Sequence, residues 1–275
     1  MNLSARLPLA CAAALLCGTA FAADWSDNSV GYRYASHQSE PGVSDKVAKD
    51  IFTFTHVSGD HLGTNFFTID LLESHAPDYA NGGTNGAQEL YGFYQRSFSL
   101  NALTNHKGNW GFAKDLSLVG RFDFGTKNTT FAPRPRKLRV GISASMPVQA
   151  GFWDIGVQAY RETNHNGFVG SDVTFKIAPA FVSAWAIPVG GIGTFGGFID
   201  IVGPKGKDAG GADTKTEILA RATFMFDIGG AKSGLKAGVG VEYWKNKFGN
   251  APETVAFAPG STKATSPLLL VEYHF

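Results

Sequence analysis

Period-two alternation is the feature that most narrows what this chain can fold into. In SVGYRYA, Val30, Tyr32 and Tyr34 are separated by Gly31 and Arg33. In DLSLVGRFDFG, Leu116, Leu118, Phe122 and Phe124 oppose Ser117, Arg121 and Asp123. Successive side chains of a strand point to opposite faces, so such a segment predicts a strand with one apolar and one polar face. Twelve segments read this way. DIFTFT opposes Phe52 and Phe54 to Thr53 and Thr55, and NFFTIDLL opposes Phe67, Ile69 and Leu71 to Thr68 and Asp70. KLRVGISASM sets Leu138, Val140 and Ile142 against Arg139 and Ser143, and FWDIGVQAY sets Trp153, Ile155 and Val157 against Asp154, Gln158 and Tyr160. TFKIAPAFVSAW and TFGGFIDIV place Phe175, Ile177, Ile199 and Ile201 outside, with Lys176, Phe198 and Asp200 inside. TEILARATFMFDI opposes Ile218, Ala220, Phe224 and Phe226 to Glu217, Arg221 and Asp227. LKAGVGVEYW opposes Leu235, Val239, Val241 and Tyr243 to Lys236, Glu242 and Trp244. AQELYGFYQRSFSL is strand-like but carries aromatics on both faces, and its parity stays open. SPLLLVEYHF closes the series, with Leu269, Val271, Tyr273 and Phe275 on one face and Glu272 and His274 on the other.

The links sort by length. Long polar links cover about 37–48, 75–86, 126–136, 162–172, 203–214 and 246–264. Shorter ones cover about 58–64, 101–109, 147–151, 187–191 and 229–234, and the two kinds alternate. Transmembrane barrels have short turns on the periplasmic side and long loops outside. A secreted β-sandwich also alternates, but it has no reason to sort its links or to repeat charges along its second face. The expectation is therefore an all-β, 12-stranded antiparallel transmembrane β-barrel with both termini periplasmic. The final strand would pair with the first and remove both sheet edges. The row Leu269, Val271, Tyr273, Phe275 is similar to the C-terminal signal that barrel-assembly machinery recognises.

The start of the chain names a destination. MNLSARLPLACAAALLCGTAFA has one cation, Arg6, then a short apolar run and Ala20-Phe21-Ala22, the layout of a cleaved secretory signal. Residues 1–22 are read as signal peptide and 23–275 as the barrel. Cys11 and Cys17 would leave with it, so the mature chain has no thiol. Losing Arg6 leaves 23 basic residues, equal to the 23 acidic ones, so nothing points to nucleic acid. The expected location is the outer membrane of a Gram-negative bacterium, with outer-membrane lipid and the assembly machinery as partners.

By parity the lumen receives Arg33, Arg121, Arg139, Lys176 and Arg221 beside Asp70, Asp123, Asp154, Asp200, Glu217, Glu242 and Glu272, with Tyr160, Phe198 and Trp244. Opposed charges inside a barrel ordinarily pair and hold up a wet wall. Cations, anions and aromatic faces together also suit a neutral solute with a flat ring and many hydroxyls. Base stacking on an aromatic is worth about 1–3 kcal/mol, enough to bias transit without trapping the solute.

QRSFSLNALTN (Gln95 to Asn105) resembles the signature segment of the nucleoside-specific outer-membrane channels, the Tsx-like family. In that family an Arg-Phe-Ser run leads into Asp/Asn-x-Leu-Thr at a periplasmic turn. Arg96, Phe98, Ser99, Asn101, Leu103 and Thr104 match, with Ser97 inserted. The start DWSDNSVGYRY and the segments FAKDLSLVGRFDFG and PVQAGFWDIGVQAYRETN are similar by pattern. The resemblance implies a twelve-stranded barrel with a narrow lumen, passive transport of nucleosides and deoxynucleosides, no catalysis and no cofactor. The family's nucleoside-contacting residues do not map one by one.

Other motifs are weaker. Gly191, Gly193 and Gly196 spell G-x-G-x-x-G, but another strand follows where a dinucleotide site needs a helix. In HVSGDH, His56 and Ser58 share one face of a strand, as in some outer-membrane lipid hydrolases. That alternative lacks a visible third residue and lies at a periplasmic turn. A further alternative is a closed barrel acting through its surface loops. The histidines form no metal-binding spacing. Arg134, Arg136, Lys137 and Arg139 in FAPRPRKLR are expected near the outer rim, against lipid phosphates.

Overall fold

The computed structural model describes residues 23–230 and 233–275; the expected leader, 1–22, lies outside the described residues. Thirteen strands carry the fold: β1 (Trp25–Gln38), β2 (Val47–Asp60), β3 (Gly63–Ser74), β4 (Gln88–Ser99), β5 (Asp115–Lys127), β6 (Arg136–Ser145), β7 (Phe152–Asn166), β8 (Ser171–Thr174), β9 (Ala178–Val189), β10 (Gly193–Val202), β11 (Glu217–Asp227), β12 (Leu235–Lys245) and β13 (Lys263–His274). Each pairs antiparallel with its neighbour, and β1 pairs with β13, closing the sheet. Twelve strands form the closed barrel. The short β8 is an addition on the far end of β7, whose lower part pairs with β9.

Closure follows the apolar row of the last strand. Tyr273 faces Val30, Val271 faces Tyr32 and Leu269 faces Tyr34. Phe275 donates its N–H to the Asn28 carbonyl at 2.9 Å and accepts from the Asn28 N–H at 3.2 Å, so pairing continues to the last residue. Edge groups left unpaired in hydrocarbon would each cost several kcal/mol. The outer wall is apolar: Val140, Ile142, Val157, Val239 and Leu269 are each at least half exposed. Outward Trp153, Trp185, Phe195, Phe226 and Tyr273 lie near the short-turn ends of their strands. A wall of this kind is stable against lipid.

The parity assignments hold on the strands that had them. The open segment now has one: Tyr91, Phe93 and Gln95 share the inner face with Asp70 and Asp123, while Tyr94, Arg96 and Phe98 face outward. One expectation fails. β9 begins only at Ala178, so Phe175, Lys176 and Ile177 are not strand residues. Lys176 is exposed in the link between β8 and β9, beside Gly206, and is not a strand residue of the lumen wall. β8 pairs with the far end of β7, with Thr174 opposite Thr163, so β9 joins β7 only from Ala178 opposite Tyr160.

The links also depart from strict sorting. The β4–β5 connection runs from 100 to 114 and contains a helix, α1 (Leu100–Thr104), whereas the β1–β2 loop spans only 39–46. The β9–β10 hairpin turns through Gly190 and Gly191, both at positive φ. The G-x-G-x-x-G run is thus a turn and a strand, as its context required. At Gly151, φ is +74° and a Cβ would sit 1.9 Å from the Ala186 carbonyl oxygen, so this turn requires glycine.

Candidate functional site

The inner wall is where the sequence concentrates its chemistry, because period two sends every second residue there. Near the middle, Arg33 donates to Asp70 at 2.9 Å, and Thr53 donates to the other Asp70 oxygen at 2.6 Å. Arg121 holds Asp123 with two hydrogen bonds of 2.7 Å, and Tyr91 donates to the same carboxylate at 2.6 Å. Arg139 of β6 grips Asp200 of β10 through two bonds of 2.9 and 2.7 Å, reaching past β7 and β9. Arg221 bonds Glu242 at 2.8 Å, while Gln38 donates to its second oxygen at 2.9 Å. Eight of the predicted ionic residues therefore lock into four pairs. Trp244 donates to Glu217 at 2.8 Å, and Ser145 donates to Asp154 at 2.7 Å.

The aromatics are engaged too. Tyr160 is 1 % exposed, donates to Glu162 at 2.6 Å and lies under the Arg139 guanidinium. Lys205 meets both Glu162 and the Tyr160 ring. Arg221 lies over Phe198 at 5.2 Å, and Lys247 over Trp244 at 4.3 Å. The expected stacking rings thus present faces to the protein's own cations. Three inward aromatics were missed. Phe66 and Phe93 stack at 5.3 Å, and Arg121 covers the other face of Phe93 at 3.6 Å. Trp25 faces inward over Gly59 at the short-turn mouth and is 51 % exposed. The parity count from Asp70 would have reached Phe66; Trp25 was legible only as part of a terminal segment.

Not all the inner wall is polar. Ala35, Ile51, Met225, Leu268 and Leu270 form a buried apolar cluster on it, with Leu72 against them. Four buried polar atoms of this wall, Arg33 Nε, Arg139 Nε, Gln158 Oε1 and His274 Nε2, make no hydrogen bond to protein among the described residues. An apolar depression of about 710 Å³, lined by Val140, Ile142, Val157, Ile177, Phe181 and Ile201 among others, lies on the lipid-facing side and holds none of these charges.

At the long-loop mouth, one loop carboxylate gathers three ammonium groups. Glu40 lies 2.6 Å from Lys49, 3.1 Å from Lys127 and 3.0 Å from Lys247, and Lys127 also reaches Asp78 at 2.6 Å. Burial pushes the Glu40 carboxyl up, but the three cations outweigh it and hold it well below the usual range.

The 95–105 segment builds a turn. Ser99 caps α1 by accepting from the Ala102 N–H at 3.0 Å and also binds Asp115. Asn101 donates to the Gly108 and Lys114 carbonyls and accepts from Trp110, and Thr104 donates to the Leu100 carbonyl. Leu103 is exposed. Arg96 faces outward over Phe98 and donates to Asp60 at 2.7 Å. His56 and Ser58 also face outward, 3.2 Å apart, and Asn28 of β1 lies 2.8 Å from His56. The missing third residue is present on the neighbouring strand.

No family model matches the sequence, and no curated protein matches it. Among solved structures, the translocator domain of the autotransporter NalP from Neisseria meningitidis is similar at 12 % identity and TM-score 0.49, over 99 % of this chain and 96 % of that one. The KdgM porin is similar at 10 % identity and TM-score 0.45, over 90 % and 99 %. The outer-membrane protein OpdK from Pseudomonas aeruginosa is similar at 9 % identity and TM-score 0.28, over 92 % and 99 %.

Proposed function

We propose that the protein is a passive, substrate-selective channel of the bacterial outer membrane whose solute is a nucleoside or deoxynucleoside. The short turns and both chain ends are then periplasmic, and 1–22 is the removed leader. The observation that carries this reading is the charge pairing on the inner wall: Arg33, Arg121, Arg139 and Arg221 each hold a carboxylate, so the mid-lumen arginines are neutralised in place. Such a wall favours neither anions nor cations and suits a neutral solute. Trp25 supplies the open aromatic face, at the mouth through which solute leaves. The 95–105 resemblance adds the nucleoside to this picture.

Purified protein in planar bilayers is expected to show small conductance that falls when nucleoside is added. Conductance indifferent to nucleosides but blocked by another solute would remove the nucleoside and keep the channel. A barrel that never conducts would favour the reading in which the surface loops act, two of which the Glu40–Lys247 pair ties together.

A further inference from the structure

The outward face of β1–β4 at the short-turn rim carries a polar network where the rest of the wall is apolar. Its hydrogen-bond directions are set from both ends. Asn28 turns its Nδ2 toward the Phe275 carbonyl at 3.5 Å, which leaves Asn28 Oδ1 facing His56 Nδ1 at 2.8 Å. An amide oxygen can only accept, so the proton sits on Nδ1 and His56 Nε2 is bare. Ser58 Oγ lies 3.2 Å from Nε2 and donates to it. On the other side Tyr94 donates to Asn65 Oδ1 at 2.6 Å, which directs Asn65 Nδ2 to Ser58 Oγ at 3.3 Å. Every link then runs one way, and the hydroxyl proton points at a base.

We infer that Asn28, His56 and Ser58 form an acyl-ester hydrolase site on the lipid-facing side of the barrel, with glycerophospholipid as its substrate class. A nucleophile within reach of a base that a third group orients is the geometry required for acyl transfer. Ser58 Oγ attacks the ester carbonyl carbon as its proton passes to His56 Nε2. The carbon–oxygen bond to glycerol breaks, and His56 returns the proton to that oxygen, releasing lysolipid. Water, deprotonated by His56, then attacks the acyl-serine carbonyl carbon; the bond to Ser58 Oγ breaks, His56 returns the proton to Oγ, and fatty acid leaves. Asn65 Nδ2 lies beside Oγ and is the donor for the tetrahedral oxyanion.

Two neighbours fit a phospholipid. Arg96 follows in the same cross-strand row, Ser58–Asn65–Arg96, with its guanidinium held at the rim by Asp60 at 2.7 Å. A guanidinium there suits the phosphodiester. Phe67 faces His56 across the strands and packs with Phe54 at 6.4 Å, an apolar surface for the acyl chain toward the membrane centre. The inference rests on the barrel's standing in lipid and is independent of the channel's solute. Ser58 is 4 % exposed, so an ester is admitted only when His56 or Asn65 turns aside. A small probe is therefore used beside lipid.

The test uses full-length mature protein in detergent and in phosphatidylethanolamine–phosphatidylglycerol vesicles. A fluorophosphonate is expected to form an adduct that peptide mapping places on Ser58, and the vesicles are expected to yield lysolipid and free fatty acid. Ser58→Ala and His56→Ala should abolish both, while heat-modifiable gel migration and nucleoside-sensitive conductance persist in Ser58→Ala. Asn28→Ala should lower turnover at least tenfold and distort its pH profile, with Asn28→Asp restoring it, as befits a positioning residue. Arg96→Gln should raise KM for phospholipid but leave a p-nitrophenyl ester unaffected. Wild-type protein that gives neither adduct nor lysolipid, or lysolipid release undiminished in Ser58→Ala, overturns the inference and leaves the channel reading standing.

Discussion

Replacing Asp123 by Asn tests the charge-pairing argument directly. Asp123 is fully buried and accepts from both Arg121 nitrogens and from Tyr91. Asparagine keeps the shape but removes the charge, leaving Arg121 with no carboxylate partner. Breaking one side of a buried ion pair costs about 3–5 kcal/mol, and the retained amide oxygen places this change at the low end. The freed cation also changes the lumen. An ion passing about 5 Å away feels about 0.8 kcal/mol at the permittivity of water, a factor of about four in favour of anions, and more where the wall lowers the permittivity. At 0.1 M salt the Debye length is about 10 Å, so screening does not erase it. The assay is the reversal potential across a bilayer with a KCl gradient, run beside denaturant melts of heat-modifiable protein. Because cations lose the factor that anions gain, the anion-to-cation permeability ratio should rise by about sixteenfold, and the variant should melt earlier. Adding Arg121→Gln should return selectivity to the wild-type value. Unchanged selectivity in a folded single variant would refute the claim that paired charges at this level set what passes.

Four further outcomes follow from named contacts. Trp25→Ala should weaken nucleoside block about tenfold if stacking contributes about 1.4 kcal/mol, whereas Phe198→Ala should not, because Arg221 already covers that ring. Gly59→Ala, whose Cβ would fall 2.3 Å from the Trp25 indole, should perturb block in the same direction. The Glu40 clasp should be indifferent to pH between 5 and 7. A carboxyl held well below its ordinary 4.5 contributes fully above that value and loses its contribution only as pH falls through the lowered one. Limited proteolysis of the 39–46 and 246–262 loops should therefore rise only in stronger acid, and at neutral pH in Glu40→Gln. Deleting Phe275 removes both closing bonds to Asn28, so the heat-modifiable form should fall sharply on gels of membrane fractions. Normal assembly would show that closure does not depend on the last residue.

Much of the inner wall was legible because parity is a local property. Arg33, Asp70, Arg121, Asp123, Asp154 and Glu242 fall on the inner face by counting alone, as do Phe198 and Trp244. Counting failed where aromatics occupied both faces, as in Tyr91 to Phe98, since lipid and a narrow lumen both accept a ring. It also failed at Lys176, where a pattern of two or three residues outside the strand imitated the alternation within it. The apolar inner cluster around Leu268 and Leu270 was hidden for the same reason: neighbours, not residue type, decide whether a leucine faces water.

The sequence by itself determined a closed sheet of twelve alternating strands ending in a pairable aromatic row, because a twofold period leaves each strand only two choices of face. The partners were decided by tertiary structure. Gln38 meets Glu242 and Arg139 meets Asp200 across separations of 204 and 61 residues. Asn28 comes beside His56 only through the β1–β2 register, and the three lysines find Glu40 only once the loops fold over the mouth. Register and barrel closure place side chains far apart in sequence within 3 Å, and no local pattern records those distances.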